Sequence, residues 1–276
     1  MNVWKCRGIE IDLTIPKIMG IVNVTPDSFS DGGVFSDSSS AIEYANKIAL
    51  QGADIIDIGG ESTRPGASQV DTDEEQRRVL PVIKGLKNAV VSIDTYHAPT
   101  AEKAIEAGAL IINSVVPLKD FNDPLAKIAS QTGAGLVLTH NVDDGKNSPE
   151  DVFEFLQRQI DYAIRAGCLK EQLVIDVGFG FSKTREEDLV LISSLSRFSS
   201  LAPLLVGLSR KRTLDYVLNP SNNGAGTKPD ERIGASVAAA AWCAMNGASI
   251  LRVHDVKDTL QAILVSRMFF EISKGK

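Results

Sequence analysis

The stretch VVSIDTYHAPTAEKAIEAGALIINSV (90–115) decides the fold. VVSID (90–94) and ALIINSV (109–115) are short apolar runs rich in Val and Ile, without strict polar alternation. Strands covered on both faces of a parallel sheet have this composition. Between them, a segment beginning at His97 has helical periodicity and stops at Gly108, the residue type that most easily ends a helix. Strand, helix and strand follow one another within 26 residues, as in a βα repeat.

The same order extends in both directions. KIMGIV (17–22), DIIDIG (54–59), GLVLTH (135–140), LVIDVG (173–178), LLVGLS (204–209) and SILRVH (249–254) bring the apolar runs to eight. Helix starts are legible between them. Ser40 with Glu43, Thr72 with Glu75 and Thr184 with Glu187 fit capping boxes, in which a hydroxyl and a carboxylate satisfy free N–H groups reciprocally. Ser148-Pro149 places a cap before proline at the first helical position. The run Asp71 to Glu75 reads as an acidic helix start favoured by the dipole. After Ser40, Ala41, Tyr44, Ala45, Ile48 and Ala49 share one helical face. Gly52, Gly108, Gly167 and Gly247 close helical patterns just before strands.

Eight βα units with no linker or break in composition predict an α/β chain folded as one (β/α)8 TIM barrel. The expected organisation is a single domain over residues 1–276, with an N-terminal hairpin in 1–16 and the barrel in 17–272. Val3 to Cys6 and Ile9 to Leu13 flank Arg7-Gly8 as that β-hairpin, placed to plug the bottom. A doubly wound open sheet is the alternative. No GxGxxG follows the first strand to support a dinucleotide site.

Composition excludes several classes. The apolar stretch Ala235 to Met245 is interrupted by Ser236 and falls short of the ~20 residues of a membrane span. The N-terminus MNVWKCRGIEIDL alternates apolar and charged residues, unlike a signal peptide. Cys6, Cys168 and Cys243 are odd in number and form no CxxC, as expected of incidental thiols in a reducing compartment. A net charge of -6 argues against a nucleic-acid binder, which would carry a basic face. It leaves room for a small anion gripped by a few focused cations.

In a barrel of this type, functional groups gather at the C-terminal ends of the strands. Polar residues follow that rule here. Asn23 comes after the first run; Glu61, Thr63 and Arg64 after the second; Asp94 and Asn113 end the third and fourth. His140 and Asp176 end the next two, Ser209-Arg210-Lys211 follow the seventh, and Arg252 and His254 end the eighth. Two long glycine-rich loops, 23–39 and 59–73, have the length of functional lids. Arg64, Lys211, Arg252 and His254 could converge on an anion. Asn23 and Asp31 could give hard oxygen ligands to magnesium. Asp94, Asn113 and Asp176 could read a flat heterocycle through its N–H and amino groups. Each residue also has a plainer reading. A mouth Asp can cap a helix, Asn113 can tie a loop, and His97 suits a surface or capping position. His97, His140 and His254 are too scattered for a metal triad. Phe29 and Phe181 read first as packing residues, and either could wall an aromatic ligand.

MGIVNVTPDSFSDGG (19–33) and DIGGESTRPGA (57–67) resemble the two signature loops of the dihydropteroate synthase family. SIDTY (92–96), IIN (111–113), GFGFSK (178–183), SRK (209–211) and RVHDV (252–256) are similar to its later motifs, in the same order. The resemblance implies condensation of a dihydropterin-methyl pyrophosphate with para-aminobenzoate, using magnesium, in folate biosynthesis. It further implies a cytoplasmic homodimer that serves as a sulfonamide target. By resemblance, Asp94, Asn113, Asp176 and Lys211 hold the pterin, and Arg252 stacks near it. Arg252, His254, Asn23 and Arg64 match pyrophosphate contacts. Asp31, with Asn23, belongs to the metal. Thr63, Pro65, Phe29 and the segment from Ser209 to Arg212 match the para-aminobenzoate pocket. Lys211, Asp176, Asp94, Arg252 and His254 form the implied catalytic group. The chain departs from the family at Ser114, where Asp is usual, at Val177 in place of Pro, and at Thr139 in place of Met. A pterin-binding methyltransferase would share the pterin acids without needing Arg64 or the RVH cluster. A non-catalytic pterin-binding paralogue is the third reading.

Overall fold

The computed structural model of the chain describes residues 2–25, 38–61, 70–222 and 226–273. The N-terminal hairpin pairs β1 (Val3–Cys6) with β2 (Ile9–Asp12) around Arg7 and Gly8. The barrel strands are β3 (Lys17–Asn23), β4 (Ile55–Gly59), β5 (Val90–Asp94), β6 (Ile111–Ser114), β7 (Gly135–Thr139), β8 (Leu173–Asp176), β9 (Leu204–Val206) and β10 (Ala248–Val253). All pair in parallel, and β10 returns to β3 to close the barrel. The predicted (β/α)8 fold is the observed one.

The helices are α1 (Ser38–Leu50), α2 (Thr72–Gly85), α3 (Ala98–Ala107), α4 (Pro124–Thr132), α5 (Pro149–Arg165), α6 (Arg185–Ser193), α7 (Leu195–Phe198), α8 (Arg212–Leu218), α9 (Ile233–Met245) and α10 (Val256–Ser273). Thr184 with Glu187 forms the expected capping box on α6, and Ser148 caps α5 ahead of Pro149. Two expected caps are displaced. α1 begins at Ser38, so Ser40 and Glu43 lie inside it. α2 is capped one residue early by Asp71, whose carboxylate accepts from the Glu74 amide at 2.8 Å. An Asx cap satisfies the same free N–H groups as a Thr cap. Glu75 is thereby turned into the protein, where it accepts from Thr95 Oγ1 at 3.0 Å. The four glycines read as helix ends all have positive φ, between 103° and 120°.

Alternation along each strand sorts residues to two faces. Ile18, Val22, Ile56, Ile58, Val91, Ile93, Leu136 and Leu138 face the helices in one continuous core. Met19, Ile55, Ile111, Val137, Val174, Leu205 and Ile250 face the barrel axis and pack with Trp4, Cys6, Ile11 and Leu13 of the hairpin. The hairpin therefore closes the bottom, as its position suggested. Trp4 is fully buried and its indole N–H donates to the Gln172 carbonyl at 2.7 Å. The three cysteines are buried and free, and burial pushes the Cys6 and Cys243 thiols up to about 12 and Cys168 up to about 11.

Candidate active site

Two residues further along the same inward-facing positions, the barrel interior changes from apolar to polar. Ile55 gives way to Asp57, Val90 to Ser92 and then Asp94, and Ile111 to Asn113. Val137 gives way to Thr139, Val174 to Asp176, and Ile250 to Arg252 and then His254. Strand alternation thus puts a ring of polar side chains directly above the apolar plug.

Arg252 is the centre of this ring. Its Nε donates to Asp57 Oδ2 at 2.6 Å and its Nη2 to Asp94 Oδ2 at 2.5 Å. Asn113 Nδ2 donates to the same Asp57 oxygen at 3.1 Å. Burial opposes the Arg252 charge, but Asp57 and Asp94 together hold its pKa above the ordinary arginine value. Asp94 responds to the same field. Burial pushes its carboxyl up to about 7, Arg252 and Lys211 pull it down, and Asp57 and Glu75 push it up.

The opposite wall is built by the loops after β8 and β9. Asp176 Oδ1 accepts from the Gly178 amide at 2.8 Å; burial raises its pKa, against the pull of Lys211. Gly178 has φ 71°, and a Cβ there would meet the His140 carbonyl oxygen at 1.9 Å, so this turn requires glycine. Lys211 Nζ donates to the Phe179 carbonyl and sits 4.5 Å from the centroid of the Phe181 ring. Burial brings the Lys211 ammonium down to about 8 despite Asp176. Arg210 adopts left-handed backbone, φ 61°, and is tied to Asp255 by two bonds of 3.1 and 2.6 Å. Its neighbour Ser209 meets the His254 amide at 3.2 Å and Nδ1 at 3.0 Å.

The structure therefore gathers Asp94, Asn113, Asp176, Lys211, Arg252, His254, Ser209 and Phe181 around one end of the barrel. Asn23 ends β3 there, half-buried. Phe29, Asp31, Thr63, Arg64 and Pro65 lie outside the described residues. The three positions that depart from the family pattern are all buried. Ser114 turns its hydroxyl to its own loop, donating to the Val116 carbonyl at 2.9 Å.

Several residues of this end were not singled out from sequence. Asp57 sits in mid-strand, inside an apolar run; it opens the DIGGESTRPGA motif, and its inward parity with Ile55 marks it as facing the mouth. Lys183 donates to the carbonyls of His140, Gly178 and Phe181, each at 3.1 Å, and meets His140 Nδ1 at 2.9 Å. Burial lowers Lys183 to about 8 and His140 to about 4. Asp188 accepts from the Gly180 amide at 3.0 Å and from Thr213, tying the β8 loop to α8. His97 has no capping bond; its Nε2 lies 3.6 Å from Glu61, which also accepts from Tyr96 at 2.9 Å.

Fold and site together define a TIM-barrel enzyme whose mouth alternates buried acids with fixed cations. The comparisons specify it further. The family described as pterin binding enzyme matches residues 19–254. A dihydropteroate synthase of Escherichia coli strain K12 is 40% identical over 284 residues, covering 98% of this chain and 97% of the relative. A Xanthomonas albilineans dihydropteroate synthase solved with 4-aminobenzoic acid superposes with a TM-score of 0.89 at 39% identity, covering 97% of this chain and 98% of that one. The same organism's enzyme in complex with 7,8-dihydropteroate gives 0.86 at 37% identity, again covering 97% and 98%. The chain belongs to the pterin-binding enzyme family.

Proposed function

We propose that the chain condenses dihydropterin-methyl pyrophosphate with para-aminobenzoate, releasing pyrophosphate and forming dihydropteroate. The observation that carries this reading is the pairing of buried acceptors with fixed cations: Asp94 with Arg252, and Asp176 beside Lys211. The methylene carbon of the dihydropterin loses pyrophosphate to leave a delocalised cation. Asp94 and Asp176 accept from the ring N–H groups and favour positive charge on it, at about 1.5–3 kcal/mol for each charge-assisted bond. Arg252 and His254 meet the leaving group's growing negative charge. The aniline nitrogen then attacks the cation and afterwards loses its proton. Because that amine is neutral at pH 7, no activated Ser or Cys nucleophile is required. A site closed to water protects the cation.

Magnesium fits the donor chemistry of this mouth. The Asn23 amide oxygen is a hard ligand, suited to an ion that fills most of its shell with water and phosphate oxygens. Among the described residues no cluster of three or more His, Cys, Asp or Glu forms a dedicated cage. When bound, the ion would neutralise charge on the departing pyrophosphate. Asp31 is proposed as its second protein ligand.

A homodimer is proposed on α9 and α10, where Trp242, Met268, Phe269 and Ile272 are all more than half exposed. Patches of this kind on a folded chain mark interaction surfaces. No helix among the described residues is long and apolar enough to cross a membrane, and a cytoplasmic location is proposed.

The deciding experiment is pyrophosphate release from dihydropterin-methyl pyrophosphate with magnesium, with and without para-aminobenzoate. Release that depends on the amine, with dihydropteroate formed in equal amount, is expected. Tight pterin binding without turnover would instead identify a non-catalytic binder.

A further inference from the structure

Asp57 is the most deeply placed acid of the mouth, fully buried in the middle of β4. Both of its hydrogen bonds go to residues of the site: Arg252 Nε at 2.6 Å and Asn113 Nδ2 at 3.1 Å, on one oxygen, Oδ2. Its other oxygen, Oδ1, has no hydrogen-bond partner among the described residues, nor does the hydroxyl of Ser92, its register neighbour on β5. A carboxylate placed here for folding alone would be satisfied by the frame around it. Asp57 is instead satisfied only by groups that face the substrate.

The reaction makes such a group useful. A buried guanidinium beside a developing pterin cation opposes that cation unless its own charge is already matched. Asp94 carries a single charge to divide between Arg252 and the pterin cation. Once Asp94 accepts from the pterin, its bond to Arg252 is weakened, and Arg252 needs a second counter-charge that stays in place. Asp57 lies one layer deeper, out of reach of solvent, and bonds a different nitrogen of the same guanidinium.

We propose that Asp57 is a positioning residue for the condensation: it orients Arg252 and Asn113 and holds the counter-charge of Arg252, releasing Asp94 to the pterin cation. The proposal rests on the function stated above.

The test compares Asp57→Asn in two backgrounds, the unsubstituted enzyme and Arg252→Met. Asparagine keeps an acceptor for Asn113 and removes only the charge. In the unsubstituted background kcat should fall by about tenfold or more while KM for para-aminobenzoate moves by less than about threefold. In the Arg252→Met background the same change should alter kcat, and the affinity for dihydropterin-methyl pyrophosphate, by less than about threefold, because the partner it serves is gone. The double variant removes Arg252 and Asp57 together, leaving Asp94 as in the Arg252→Met background it is compared with, and its affinity stays measurable where turnover is slow. Losses of about tenfold in both backgrounds, or an unchanged kcat in the first, would overturn the positioning role alone. No amine-dependent turnover by the unsubstituted enzyme would overturn the function itself.

Discussion

Arg252 on β10 and Asp57 on β4 meet at 2.6 Å although 195 residues separate them in the chain. Only β3 stands between their strands in the closed barrel. The same guanidinium reaches Asp94 on β5. One cation therefore ties three strands of the mouth together, and the behaviour of its partners gives the site a pH signature.

In the proposed reaction Asp94 accepts from the pterin as a carboxylate, and its pKa is raised to about 7, chiefly by burial. Lowering the pH through that value protonates it and removes the acceptor. In the same proposal Lys211 acts as an ammonium, and burial lowers it to about 8; raising the pH through that value removes its charge. The kcat/KM for the dihydropterin substrate should therefore follow a narrow bell, falling on both sides of the interval between these values. A profile flat from pH 6 to 9, measured by pyrophosphate release, would show that neither group titrates in the free enzyme.

Lys211→Ala and Asp176→Asn each remove one member of the wall opposite Asp57 and Asp94. Each should lower turnover at least about tenfold, or about 1.4 kcal/mol. Thermal unfolding should remain cooperative in both, since their replacements leave the apolar layers intact. Wild-type rates in both variants would remove these two residues from the reaction.

Gly178→Ala places a methyl 1.9 Å from the His140 carbonyl oxygen and forces a side chain into φ 71°. Left-handed strain costs on the order of 1–3 kcal/mol, and the clash adds to it. The turn must shift, carrying the amide that holds Asp176 at 2.8 Å. Expected together are a lower Tm and a weaker affinity for the pterin substrate, read by calorimetry. A variant with wild-type affinity would mean that the turn does not position Asp176.

Trp4→Ala opens the bottom of the barrel. The indole is fully buried among the inward-facing apolar residues, and its N–H is bonded to Gln172. Loss of a buried Trp costs about 3–5 kcal/mol. The midpoint of urea unfolding should fall accordingly, while kcat of the folded fraction stays near wild type, because the polar ring lies on the other side of the apolar plug. A selective loss of kcat with unchanged stability would contradict this division of the interior.

What the sequence determined by itself was whatever depends on neighbours a few residues apart. Val- and Ile-rich runs, the Ser148 and Thr184 caps and the glycines that end helices were enough for eight βα units, and eight such units imply a closed barrel. They also placed Asp94, Asn113, Asp176, Lys211, Arg252 and His254 at strand ends on one side. Local signals were ambiguous where two candidates competed one residue apart, as Asp71 and Thr72 did for the start of α2. The winner turned Glu75 inward to Thr95. Partnership across the barrel was decided only by the tertiary structure. That Asp57 faces Arg252, that Asn113 shares its oxygen, and that the β8 loop lies where Lys183 can reach the His140 carbonyl follow from strand register and ring closure. These are properties of the whole barrel, because a one-residue slip in register would turn Asp57, Asn113 and Arg252 to the other faces of their strands.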